Sequence, residues 1–123
     1  MGRKILVADD EPNIVVALEF LLRSNGYEVL VARNGEEVLE RIAQDRPDLV
    51  LLDVMMPMVS GFDVCRRIRQ GSGGERIRIV MLSARGREAE VSRGLAAGAD
   101  LYVVKPFSTG ALLAQIDALL APG

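Results

Sequence analysis

The sequence predicts an α/β fold, an open doubly wound sheet of five parallel strands with five helices on its two faces. Three observations carry that expectation. Ile5–Ala8, Leu49–Leu52 and Leu101–Val104 are short and apolar throughout, as in strands covered on both faces. Helical stripes separate such runs, making five strand-then-helix units in 123 residues, a length that suits one domain spanning 1–123. Charged residues stand at the carboxyl ends of the runs: Asp9 and Asp10, then Asp53, then Lys105. Right-handed crossovers place helices on both faces when the strand order reverses once, as in 2-1-3-4-5. The reversal then falls between strands one and three, whose ends carry the three aspartates, and such sheets bind ligands there.

Each element has its own signal. After strand one, Pro12 suits a first helical turn, where its missing N–H costs nothing. Ile14, Val15, Leu18, Leu21 and Leu22 form one stripe, and Gly26 closes the helix. Strand two is expected near Glu28–Ala32. Asn34 and Glu37 make a capping box for a helix burying Val38, Leu39, Ile42 and Ala43, which Pro47 stops. Strand three is Leu49–Asp53. Ser60 caps a helix burying Phe62, Cys65 and Ile68. Gly71-Ser72-Gly73-Gly74 lacks the Lys-Ser/Thr of a phosphate loop and is expected to be a mobile connector. Strand four is Ile77–Leu82, followed by a short helix from about Arg87 to Ala97, weakened by Gly94 and closed by Gly98. Strand five is Leu101–Val104. Ser108 caps a last helix with the stripe Leu112, Leu113, Ile116, Leu119 and Leu120.

Composition narrows the function. Half the residues are hydrophobic, yet no apolar run reaches the roughly 18 residues of a membrane span. Met1-Gly2-Arg3-Lys4 leads straight into a strand with no signal-peptide core, and the single cysteine, Cys65, has no internal disulfide partner, so a reducing cytoplasm is expected. A net charge of −2 with interspersed signs offers no basic patch for nucleic acid. There is no histidine, which excludes a Ser-His-Asp relay and His-containing zinc sites.

The strand ends carry the chemistry. Asp9, Asp10 and Asp53 on one sheet edge would repel one another unless a divalent cation sat among them. Lys105 is one of only two lysines beside thirteen arginines, which suggests a site wanting a compact ammonium rather than a planar fork.

These motifs resemble a known family. Val7-Ala8-Asp9-Asp10-Glu11, Asp53-Val54-Met55-Met56-Pro57 with Gly61, Met81-Leu82-Ser83-Ala84, Gly98-Ala99-Asp100 and Lys105-Pro106-Phe107 follow the order of a response-regulator receiver domain of the CheY-like superfamily, across essentially the whole chain. The resemblance implies a flavodoxin-like fold and a two-component switch. Asp53 would accept a phosphoryl group from a phosphohistidine on a sensor kinase or phosphotransfer protein. Asp10, Asp53 and the Met55 carbonyl would ligate Mg²⁺, with Asp9 holding coordinated water. Lys105 and Ser83 would contact phosphoryl oxygens, the Lys105-Pro106 peptide would be cis and orient the lysine, and Ser83 with Tyr102 would form the switch. Autodephosphorylation would be self-modification, not turnover of a free substrate. A downstream effector would read a face formed by the fourth helix, strand five and the fifth helix. Ala121-Pro122-Gly123 leaves open whether an effector domain follows.

Some positions depart from the family pattern. Ser83 stands where threonine is common but keeps the hydroxyl, and Val59 and Ser60 replace a commoner glycine-acid pair. Met55 and Arg85 are bulky at positions that tune hydrolysis. Ala111, Gln115 and Asp117 replace an acid and two basic residues that latch dimers in DNA-binding relatives, and Leu101 replaces an acid. A monomer or weak dimer is therefore expected. The alternative is a degenerate receiver acting only as a docking module, which the retained acids and lysine disfavour. A flavin site is excluded by acids where a phosphate loop would lie, and an aspartyl phosphatase by Met55.

Overall fold

The computed structural model describes residues 3–56 and 59–121. Met1, Gly2, Pro57, Met58, Pro122 and Gly123, and what the sequence suggested of them, lie outside the described residues. The elements are β1 (Lys4–Ala8), α1 (Pro12–Ser24), β2 (Glu28–Ala32), α2 (Gly35–Asp45), β3 (Leu49–Asp53), α3 (Gly61–Gln70), β4 (Arg78–Ser83), α4 (Glu88–Ala96), β5 (Leu101–Val104) and α5 (Thr109–Leu120). A short 3₁₀ turn, Gly74–Arg76, precedes β4. The sheet is parallel throughout, in the order β2-β1-β3-β4-β5. It is the flavodoxin-like arrangement that alternating elements predicted.

Side chains alternate across each strand, so the sheet divides the core in two. Ile5, Val7, Leu49, Leu51, Val80 and Leu82 face α1 and α5, meeting Leu18, Leu22, Leu112, Ile116 and Leu120. Leu6, Val50, Leu52, Ile79 and Met81 face Val38 of α2 and Phe62, Val64, Cys65 and Ile68 of α3. The α4 helix adds little apolar cover, since its only buried residue is Gly94. Among the described residues no helix is long and apolar enough to cross a membrane.

Local details correct the sequence expectations. β4 begins at Arg78, not Ile77, and runs on to Ser83, so Ser83 is a strand-end residue like Asp53. Ala43 is exposed, leaving Val38 as the fully buried apolar side chain of α2. Asn34 Oδ1 accepts from the Glu37 amide at 3.0 Å, but the Glu37 carboxylate bonds back to the Arg33 amide at 3.1 Å, one residue earlier than a capping box requires. In the glycine-rich connector Gly71, Ser72 and Gly73 are exposed, but Gly74 is buried, and a Cβ on it would lie 1.7 Å from the Ile68 carbonyl oxygen. Gly94 likewise serves a close approach. A Cβ there would stand 2.8 Å from both Met81 Sδ and a ring carbon of Tyr102.

Candidate functional site

The adjacent parallel strands β1 and β3 end at the same sheet edge, and their ends bring the acids together. Asp9 follows β1, and its amide donates to the Ala32 carbonyl, so pairing with β2 continues one residue past the strand. Asp53 is the last residue of β3, in register with Leu82. One oxygen from each of Asp9, Asp10 and Asp53 can be chosen so that all lie within 4.8 Å of one another. Asp9 and Asp53 are buried, at 1% and 5% exposure, while Asp10 is exposed. Buried like charges this close need a compensating cation.

Lys105 supplies part of it. The Lys105 amide donates to the Ser83 carbonyl at 2.7 Å, extending the β4–β5 pairing, and the Lys105–Pro106 peptide is cis. The ammonium donates to Asp9 Oδ2 at 3.0 Å and stands 3.8 Å from Asp53 Oδ1. Backbone amides tie down the same carboxylates: Glu11 N–H donates to Asp9 Oδ1 at 2.9 Å and Met55 N–H to Asp53 Oδ1 at 3.1 Å. Burial pushes the Asp53 carboxyl above the usual carboxylate range; the Met55 amide opposes this, Asp9 adds to it, and Lys105 works against it.

An all-oxygen set of this kind fits a hard divalent cation. Three carboxylate oxygens within 4.8 Å of one another could hold such an ion. Asp10, exposed beside two buried acids, gives the cluster an open side where coordinated water could remain.

Ser83 and Tyr102 meet at one residue. Ser83 is fully buried, and its hydroxyl oxygen accepts from the Arg85 amide at 3.0 Å. The Tyr102 hydroxyl donates to the Arg85 carbonyl at 2.7 Å from a partly exposed ring. Both peptide groups of Arg85 thus hold side chains that the sequence singled out. The Met55 side chain is half exposed beside the acids, and Arg85 is exposed.

The sequence reading overlooked Arg69. Its guanidinium donates to the carbonyls of Gly98 at 2.8 Å and Gly74 at 2.7 Å, to that of Ile77, and to Asp100 Oδ2 at 2.9 Å. Asp100 also accepts from the Ile79 amide, so one arginine ties α3 to the 3₁₀ turn, the end of α4 and the start of β5. No local pattern marks it, because Gly98 and Asp100 lie 29 and 31 residues away and the Gly74 and Ile77 carbonyls belong to an irregular connector.

Comparison with known proteins agrees with this fold. The sequence model of the response regulator receiver domain matches residues 5–117. The chain is 50% identical over 117 residues to the phosphate regulon transcriptional regulatory protein PhoB of Rhizobium meliloti, covering 95% of this chain and 52% of that one. It is 42% identical over 120 residues to the alkaline phosphatase synthesis transcriptional regulatory protein PhoP of Bacillus subtilis, covering 98% and 49%. The chain thus spans about half the length of these curated relatives. Among solved structures, the chemotaxis response regulator CheY4 of Vibrio cholerae superposes with a TM-score of 0.92 at 32% identity, over 98% of this chain and 100% of that one. The BeF3-activated N-terminal receiver domain of Klebsiella pneumoniae RstA gives 0.90 at 30%, over 98% and 100%.

Proposed function

The chain belongs to the response regulator receiver domain family, and from that premise we propose that it is a phosphorylation-activated switch with Asp53 as phosphoacceptor. The observation that carries this reading is the buried Asp53 carboxylate 3.8 Å from the Lys105 ammonium, beside two further acids. An Asp53 oxygen attacks the phosphorus of a donor phosphohistidine; the new P–O bond forms as the P–N bond breaks, and the donor imidazole leaves with the electron pair. Phosphoryl transfer of this kind is mainly positioning and electrostatics.

Asp10, Asp53 and the Met55 carbonyl would hold Mg²⁺, with Asp9 anchoring Lys105 and coordinated water. When bound, the cation supplies positive charge that lets a phosphoryl group approach the acids. Three carboxylates, the ammonium and a divalent cation cancel. An acyl phosphate brings about two negative charges where the carboxylate had one, so the loaded site carries a single net charge. Water attacking phosphorus in the same site would return the aspartate. The protein acts only on itself and is a signalling protein. Its donors are a sensor histidine kinase or phosphotransfer protein, its reader a downstream effector, and the reducing cytoplasm is its compartment.

Switching runs through Arg85. A Ser83 hydroxyl drawn toward a phosphoryl oxygen abandons the Arg85 amide, freeing the loop whose carbonyl holds Tyr102. The second reading, a docking module without phosphorylation, leaves the Lys105–Asp9–Asp53 cluster without a role. Intact mass spectrometry with a small acyl phosphate decides between them. Stoichiometric, Mg²⁺-dependent labelling that Asp53→Asn abolishes is expected; equal labelling of that variant sinks the assignment.

A further inference from the structure

The opposite edge of the sheet carries a second feature, independent of the carboxylate site. A groove of about 550 Å³ opens between the carboxyl ends of α2 and α3 and the glycine-rich connector. That is within the range of small binding clefts, about 300–1,000 Å³. Leu39, Ile42, Ile68 and Ile77 line it with apolar surface. Its rim carries Arg46, Arg67 and Arg76, all exposed, and none of the three pairs with a carboxylate among the described residues. Asp48, the one acid on the lining, is already engaged by the Lys4 amide and by Arg3.

Two effects compete for the sign of this surface. The ends of α2 and α3 each present about half a negative charge. Three guanidinium groups outweigh them by about two positive charges. The connector is also shaped for access: Gly74 is buried against Ile68, while Gly71, Ser72 and Gly73 stay exposed along the groove wall. Apolar surface ringed by unpaired arginines matches a ligand with the reverse pattern. Nucleic acid would satisfy the arginines and leave the apolar floor unused.

We propose that this groove docks an acidic segment of a partner protein, one that seats an apolar side chain on the floor and carboxylates against Arg46, Arg67 and Arg76. Arginine suits that role because its planar fork takes carboxylates bidentately.

The test uses the whole chain and a short synthetic peptide bearing a leucine pair flanked by glutamates, followed by amide NMR. Shifts are expected at Gly71, Ser72, Gly73 and Ile77, with none at Asp53 or Lys105. The triple variant Arg46→Gly, Arg67→Gln, Arg76→Gln should lower affinity by about tenfold or more, as losing several anchoring groups does. Arg46 has a left-handed φ of 46°, so glycine removes its charge without adding strain. A retained amide spectrum shows that the variant folds, and single variants replace it if not. Replacing the peptide leucines with serine should weaken binding comparably. The proposal is overturned if shifts are missing at about 1 mM peptide, the weak end of specific affinity. Equal binding of the serine peptide, or of a short DNA duplex, overturns it in favour of charge alone. Self-association that the triple variant abolishes overturns it in favour of a second copy.

Discussion

Tyr27 reports on a contact that no motif contains. Its hydroxyl donates to Asp117 of α5, across the gap to the start of β2. Burial, then the Asp117 bond and charge, push its pKa from 10.0 up to about 12, with Arg3 opposing. A phenol whose folded pKa is raised holds its proton more tightly in the folded state, so this contribution is fully present below pH 10.0 and is lost on rising toward about 12. The difference in ultraviolet titration between the native chain and Tyr27→Phe should therefore show a phenolate forming well above 10.0. A difference component centred at 10.0 would mean that the Asp117 contact does not persist. Asp53 has the same sign, and burial leads there too, with the charges of Asp9 and Asp10 adding to it in place of a hydrogen-bond partner. Its stabilising effect exists while it is protonated and disappears as pH rises through its raised pKa, so the ionised group is a cost at neutral pH. In chelator, Asp53→Asn should therefore melt higher. Mg²⁺ should stabilise the native chain more than the variant. Melting curves in chelator and in Mg²⁺ check both.

At the level of elements, α4 is held at one end and loose at the other. Arg69 grips the Gly98 carbonyl beyond its carboxyl end, whereas Arg87 at its amino end makes no side-chain cap bond. Rearrangement should therefore begin at the amino end, beside Arg85. Gly94 tests how the helix sits. Helix propensity alone favours alanine by about 1 kcal/mol, but the new Cβ meets buried Met81 and the Tyr102 ring at 2.8 Å. Overpacking costs about 1–3 kcal/mol and wins, because Met81 is fully buried and the Tyr102 ring is tethered to the Arg85 carbonyl. Gly94→Ala should lower stability by about 1 kcal/mol in denaturant titration and displace the Tyr102 ring. Beryllofluoride should move the Tyr102 ring signals of the native chain more than those of the variant. Unchanged native signals at saturation would remove Tyr102 from the switch.

For the whole molecule, the open question is self-association on the face of α4, β5 and α5. Leu95 and Val104 are exposed there at 48% and 40%, and Ala114 and Ala118 are exposed on α5. Ala111 and Gln115 carry no charge, and Asp117 is occupied by Tyr27, so α5 lacks the basic half of a charge latch between two copies. A monomer, or a weak apolar dimer, is expected even with beryllofluoride bound. Sedimentation at low and high salt checks this, because ion-paired dimers weaken as the Debye length falls from about 10 Å toward 3 Å. A tight activated dimer dissolved by salt would overturn it.

What the sequence determined by itself was whatever depends on near neighbours. Apolar runs of four or five residues gave the strands, and Asn34, Ser60 and Ser108 cap their helices as read, because capping is decided within one turn. The candidate site was legible for a related reason: Asp9, Asp10, Asp53 and Lys105 all stand at or just past strand ends, and a parallel sheet delivers every strand end to one edge. Only the tertiary structure decided the contacts between distant elements. Arg69 and Gly98 are 29 residues apart and Tyr27 and Asp117 are 90, separations over which neither periodicity nor capping carries information. Gly74 and Gly94 looked like part of a mobile connector and a weak point in a helix, since a local reading sees only their backbone freedom. In the fold they are small because Ile68 and Tyr102 leave room for nothing larger.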